Sequence, residues 1–388
     1  MSEANAMTDS APRATPRAER RRVVDCDLHH ELPSPEVLVE YLSPEWREFV
    51  LGPGPDEPYP LFPGYSWVNP HGFYREDTAD RKPGSSPDVV AAEVFDAYDI
   101  DYGVLTHGAG LYSAALTNPY LAVDVCRALN DQMVDSWLSR DRRFLGSILL
   151  PSQTPDLAAA EIRRLAGKPQ VVQALLCVNA VGHPFGHPLF DPIHRAAAES
   201  GLPIAIHAFG EGAGSPMAAP LSGGRPSFYI ELHSGAMQGL FTHLMSFIFH
   251  GVFERYPSLQ LFLLEGGIEW LPAVVGRLDV NFRGLRRETP WCKRLPSDYV
   301  RDHVRLSTQP LDVGSRDDGF WSMVDGAGLE RSIVFSTDYP HWDAESPSQM
   351  MGRVPGALRD RILWQNAAEG YRLGAAPVAT TPTAAGPA

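Results

Sequence analysis

The chain has 388 residues, 44% hydrophobic and 21% charged, an ordinary globular composition with room for one large domain or two smaller ones. Its formal net charge of −14 argues against a nucleic-acid partner and against attraction to an anionic membrane. No run of about 18 apolar residues exists, so no membrane span is expected. The four cysteines, Cys26, Cys126, Cys177 and Cys292, form no CxxC pair, which disfavours a zinc ribbon or a redox couple and reads as four small buried side chains.

The chain opens with MSEANAMTDSAPRATPRAERRR, which lacks the apolar core of a signal peptide. Residues 1–21 read as a disordered leader, residues 22–374 as a single domain, and 375–388 as a disordered tail poor in bulky apolar residues. The expected compartment is the cytoplasm. From residue 23, short apolar runs recur: VVDCDLHH (23–30), IDYGVLTH (100–107), FLGSILLP (144–151), VQALLCVN (172–179), LPIAIHAF (202–209), LQLFLLEGG (259–267), HVRLSTQP (303–310) and SIVFSTDYP (332–340). Most are continuously apolar instead of alternating, as buried parallel strands are. Segments with helical spacing lie between them, at 87–99, 118–141, 154–167, 187–201, 235–257, 269–283 and 357–370. Several begin with a cap and a proline, Asn118–Pro119 for example, and two end on glycine.

Eight strands alternating with helices over about 320 residues predict an α/β fold, a (β/α)₈ TIM barrel. An open doubly wound sheet would place a glycine-rich loop after its first strand, and DLHHELP has none. Residues 33–86 interrupt the repeat as a long insertion after the first strand. The insertion is rich in proline and in aromatics that favour burial: Tyr59, Phe62, Tyr65, Trp67, Phe73 and Tyr74. It reads as a lid or an oligomerisation arm.

The polar end of VVDCDLHH poses the chemical question. Simple alternation puts Asp25, Asp27 and His29 on one face. Buried charges need partners, and a cation is one answer. Barrel active sites collect at strand C-terminal ends. Those ends carry Asp27, His29, His107, His207, Glu265, Gln309 and Asp338, with His341 just beyond. Asp27, His29, His207 and Asp338 are the expected metal set. His107 reads as a hydrogen-bonded core residue and His30 as structural. His183, His187 and His194, and likewise His233, His243 and His250, read as core or surface residues. Gln309 and His341 are candidate substrate-binding residues. Arg225, Arg277 and Arg283 read as partners of surface acids.

Taken together, VDCDLH, LPIAIH, YPSLQLFLLEGGIEWLPAVVGRLD and IVFSTDYPHWD resemble the amidohydrolase-related group that includes amino-carboxymuconate-semialdehyde decarboxylase and the resorcylate-type decarboxylases. The likeness spans about residues 23–370. It implies a barrel with one divalent metal, zinc by family habit, with manganese or iron as alternatives. It also implies hydrolysis, decarboxylation or hydration of a small carboxylated or cyclic molecule, and favours a homodimer. Asp27-Leu28-His29 matches an acid variant of the family's His-x-His. His207 matches the strand-five ligand, and Asp338 the strand-eight aspartate that binds metal and exchanges a proton. Strand six departs from the pattern: Glu265 stands where the decarboxylases carry a catalytic histidine. Glu265 and Asp338 are therefore the candidate catalytic residues. The expected activity is metal-assisted hydrolysis, with non-oxidative decarboxylation of a hydroxybenzoate-like acid as the alternative, and a catalytically degenerate barrel as the non-enzymatic possibility.

Overall fold

A computed structural model describes residues 21–51, 68–179, 181–210, 219–311 and 318–374. Eight parallel strands follow one another in chain order: β1 (Val24–His30), β2 (Tyr102–His107), β3 (Phe144–Leu149), β4 (Val171–Leu176), β5 (Ile204–His207), β6 (Leu261–Leu264), β7 (Val304–Ser307) and β8 (Ile333–Val334). Each falls on one of the eight apolar runs, β4 starting one residue ahead of its run. The last strand is short, but the backbone continues its pairing with β1. Cys26 donates to the Phe335 carbonyl at 2.9 Å and His29 to that of Tyr339 at 2.8 Å, which brings the sheet round into a barrel. The α/β barrel expected from the sequence is the fold.

Helices form in the segments where the spacing placed them, and two more, Pro296–His303 and Asp318–Ala327, precede and follow β7 without having been expected. In Pro119–Met133, the Asn118 side chain accepts from the amides of Tyr120 and Leu121, satisfying donors the first turn leaves free. Helix Asp191–Ser200 ends on Gly201 at φ 69°, a left-handed cap that glycine adopts without a Cβ penalty. One apolar cluster joins Leu28, Phe95, Trp137 and Phe144 under the helices. Inside, Tyr371 stacks on Phe262 of β6 at 4.3 Å and donates to Gln173 of β4, whose amide reaches Ser147 of β3. The four cysteines are buried and unbridged. No helix among the described residues is long and apolar enough to cross a membrane.

The insertion divides in two. Helices Glu36–Val39 and Pro44–Leu51 lie beside the barrel, with Leu38 and Leu42 packed in a cluster that includes Val24, Leu121 and Val125. Residues 68–86 cross the C-terminal end of β1 and the turn after β8. Glu31 donates to the Gly84 carbonyl at 2.8 Å and Arg75 to that of Pro340 at 2.9 Å. Gly84 permits this approach: a Cβ there would sit 3.1 Å from Pro340 and 3.2 Å from the His29 carbonyl oxygen, at φ 77°. Tyr59, Phe62, Tyr65 and Trp67 lie outside the described residues, as do most of the leader and the whole tail.

Candidate metal centre

Five buried side chains gather at the C-terminal end of the barrel: Asp27 and His29 from β1, His207 from β5 and Glu265 just after β6 form one group, and Asp338 beyond β8 joins His29 and Glu265 in an overlapping one. His29 Nε2 lies 3.0 Å from Asp338 Oδ1, 3.3 Å from His207 Nε2 and 3.7 Å from Asp27 Oδ1. His207 Nε2 lies 2.9 Å from Glu265 Oε2 and 3.6 Å from Asp27 Oδ2. His341 extends the group, its Nδ1 2.8 Å from Asp338 Oδ1.

Local backbone aims these groups. Glu265 and Asp338 both adopt left-handed conformations, φ 56° and 58°, which non-glycine residues rarely hold without a reason. The Ser307 hydroxyl accepts from the Glu265 amide at 2.9 Å, and the Asp27 carbonyl accepts from the Asp338 amide at 3.1 Å. His207 Nδ1 faces its neighbour's carbonyl, Ala208 O, at 2.9 Å, and His29 Nδ1 faces His107 O at 3.4 Å. With Nδ1 turned to a carbonyl, each ring presents Nε2 inward, as a metal-binding imidazole does.

The donor set fits a divalent cation. Asp27 Oδ2 and Asp338 Oδ2 are buried oxygens with no hydrogen-bond partner, an arrangement that costs free energy unless a charge meets them. Three carboxylates beside two imidazoles also shift the proton balance. Burial alone would lower the pKa of His29, but Asp27, Asp338 and Glu265 outweigh it and raise it to about 10. His207 is raised likewise, by Asp27 and Glu265 against its burial. Without a cation, protons on the imidazoles balance the carboxylates; a metal has to displace them.

A cavity of about 220 Å³ opens above this floor. Phe73, Tyr74, Phe209, Tyr229 and Trp342 supply aromatic walls. His233 also lines it, its Nε2 3.3 Å from Asp343 Oδ2. On the other side Glu31 Oε1 accepts from the Tyr74 hydroxyl and from the Ala109 amide, both at 2.9 Å.

The sequence-derived set of Asp27, His29, His207 and Asp338 is thus brought together, with Glu265 among it and His341 beside it. Asp25 is not. The strand register shifts between Asp25 and Leu28, and such a bulge resets the alternation that would have grouped it with Asp27 and His29. Its carboxylate accepts instead from the Thr337 amide at 2.9 Å and from the Thr337 hydroxyl. Gln309 is not among the residues that line the cavity: it is buried, and its side-chain amide donates to the Asp343 carbonyl at 3.3 Å. His30 and His107 pack against each other at 4.4 Å, outside the metal set. Arg225, Arg277 and Arg283 are exposed and stand apart from the cavity lining. His233, Asp343 and Glu31 were missed. Glu31 directly follows the His29–His30 pair and Asp343 lies two residues past His341, the only signals that could have flagged them.

A family model described as Amidohydrolase matches residues 24–373. The chain belongs to the amidohydrolase family. Among curated members, gamma-resorcylate decarboxylase of Rhodococcus jostii is 25% identical over 309 residues, covering 74% of this chain and 90% of the relative. The solved 2,6-dihydroxybenzoate decarboxylase from Rhizobium superposes with a TM-score of 0.63 at 19% identity, over 91% of this chain and 99% of its own. The 5-carboxyvanillate decarboxylase of Novosphingobium aromaticivorans, solved with manganese and 4-hydroxy-3-methoxy-5-nitrobenzoic acid, also gives 0.63, at 17% identity over 91% and 96%. At these identities the solved amidohydrolases attest the barrel alone. The decarboxylase alternative matches these relatives better than the hydrolysis put first on the sequence.

Proposed function

We propose that this protein is a metal-dependent carboxy-lyase that removes a carboxyl group from a small hydroxylated aromatic acid. The observation that carries the reading is the aromatic-walled cavity standing directly on the five-residue donor set. About 150 Å³ suffices to hold benzene, so 220 Å³ holds one substituted ring. The walls would grip that ring and keep water from the reacting carbon. A bound divalent cation would supply Lewis-acid chemistry toward the substrate's phenolic and carboxylate oxygens. Asp27, His29, His207, Glu265 and Asp338 would hold it. Three carboxylates among five ligands suit manganese better than the zinc of family habit.

Asp338 is the proton donor in this scheme. It would pass a proton to the ring carbon that bears the carboxylate. The bond to the carboxylate then breaks, its electron pair restores the ring, and CO₂ leaves. His341, hydrogen-bonded to Asp338 at 2.8 Å, is placed to return a proton to it. The Ala208 carbonyl, 2.9 Å from His207 Nδ1, orients that ring. Residues 68–86 act as a lid in the sense that they carry the Phe73 and Tyr74 walls. The homodimer implied by the family resemblance belongs to the same proposal.

Hydrolysis stands second, favoured by Glu265, a carboxylate able to take a proton from attacking water. The test is to incubate manganese-loaded protein with a panel of 2-hydroxybenzoates, lactones and amides, following CO₂ and product masses. CO₂ with the matching phenol supports the first reading. Lactone or amide cleavage without CO₂ supports the second. A folded, metal-free protein that turns over none of them would bring the degenerate barrel forward.

A further inference from the structure

The cavity carries an electrostatic signature that narrows its substrate. Among the described residues, no lysine or arginine lines it. Its imidazoles beyond the metal set are already matched with carboxylates, His233 with Asp343 at 3.3 Å and His341 with Asp338 at 2.8 Å. Lys82 lies behind the wall, 3.6 Å from Glu31 Oε2, and is taken up by that acid. Glu31, Asp343 and Glu265 are among the residues that line the cavity. Their field is felt by the walls. Burial alone would lower His233, yet Asp343, Glu265 and Asp338 raise it, and burial together with the same carboxylates lifts Tyr229 to about 12. At the walls Glu31 and Asp343 are matched in turn by Lys82 and His233, so no cation there is free for a ligand.

A substrate's reacting carboxylate can meet the floor. A second carboxylate elsewhere on the ring would lose its hydration in this cavity without gaining a cation, because Lys82 and His233 are already held by Glu31 and Asp343. A hydroxyl or amino group there meets acceptors instead. We infer that the cavity selects a ring with a single carboxylate, whose other substituents are uncharged hydrogen-bond donors meeting Asp343 and Glu31. The inference rests on the carboxy-lyase reading and separates the substrate from aromatic dicarboxylates.

Nitrophenols test it without turnover, because a nitro group stands in for the reacting carboxylate. The probes are 4-methyl-2-nitrophenol and 4-hydroxy-3-nitrobenzoate, similar in size and different by one negative charge. Binding to manganese-supplemented protein is read from the probe's absorbance. The methyl probe is expected to bind about tenfold or more tightly than the carboxylated one. Asp343→Asn or Glu31→Gln should close that gap severalfold by freeing His233 or Lys82 to meet the second carboxylate. Equal or tighter binding of the carboxylated probe, an unchanged gap in both variants, or no binding of either probe overturns the inference. Release of CO₂ is measured separately with 2-hydroxybenzoates. The expected probe preference without any CO₂ would sink the carboxy-lyase reading and leave the selectivity standing.

Discussion

His29 and His30 are neighbours on one strand and live in opposite electrostatic worlds. His29 faces Asp27, Glu265 and Asp338, and its pKa rises to about 10. His30 faces the other way, against Trp137 at 5.2 Å and His107 at 4.4 Å, with Nδ1 3.0 Å from the Thr106 carbonyl. Burial with no facing carboxylate drives it well below the usual imidazole range, and holds His107 down at about 3. Both histidines of the pair are equally buried. The difference is where the acids are, so histidine content alone says little about a metal site. A histidine kept neutral by its surroundings fills space; one surrounded by carboxylates asks for a cation.

The largest effect belongs to Asp338→Asn, which removes the proton donor while keeping the shape. Turnover should fall about 10²–10⁴-fold, measured as kcat on whichever acid releases CO₂, with the far-ultraviolet circular dichroism unchanged. Retained activity would dismiss Asp338 from the chemistry.

Next comes the pH dependence of metal affinity. The folded, metal-free His29 titrates near 10, so at neutral pH a cation must expel its proton. Affinity should therefore rise with pH below about 10, by up to about tenfold per unit for each proton displaced. Titration calorimetry of manganese in two buffers of different ionisation enthalpy counts those protons. No proton release at pH 7 would contradict the account.

His30→Ala sharpens the other side. It empties a packed site and should cost about 2–4 kcal/mol in urea unfolding, in line with other large-to-small core changes. Metal content should not move. Asp25→Asn gives the smallest effect. The buried Asp25 carboxyl is raised from 3.8 to about 7, mainly by burial and against its Thr337 hydrogen bonds. The folded state thus holds this proton more tightly, a contribution present below about 4 and lost as pH rises through about 7. The stability advantage of wild type over Asp25→Asn should shrink from pH 5 to pH 8. A difference that stays constant or grows would show that Asp25 is not protonated in the folded protein at pH 5.

Much of this was legible in the sequence. Strands buried on both faces must be apolar along their length, so all eight announced themselves, and barrel geometry placed Asp27, His29, His207, Glu265 and Asp338 at one end. Asp25 was misread because a bulge is set by backbone pairing with β2, which a period-two pattern does not contain. His233 was missed for a related reason. It sits on the short helix Tyr229–Gly235, and only tertiary packing turns that helix toward Asp343. Gln309 was a candidate substrate-binding residue by its strand-end position, but it is buried with its side-chain amide on the Asp343 backbone and does not line the cavity. Strand ends are predictable from periodicity; loop-borne walls depend on how loops pack.

The most direct test of the central claim is the metal content of purified protein by elemental mass spectrometry, with Asp27→Ala/His29→Ala and His30→Ala alongside. The account predicts about one divalent ion per chain, manganese foremost, in wild type and in His30→Ala, and its loss from the double variant with folding intact. A folded wild type that takes up no metal when divalent ions are offered, or a double variant that keeps its metal, would contradict it.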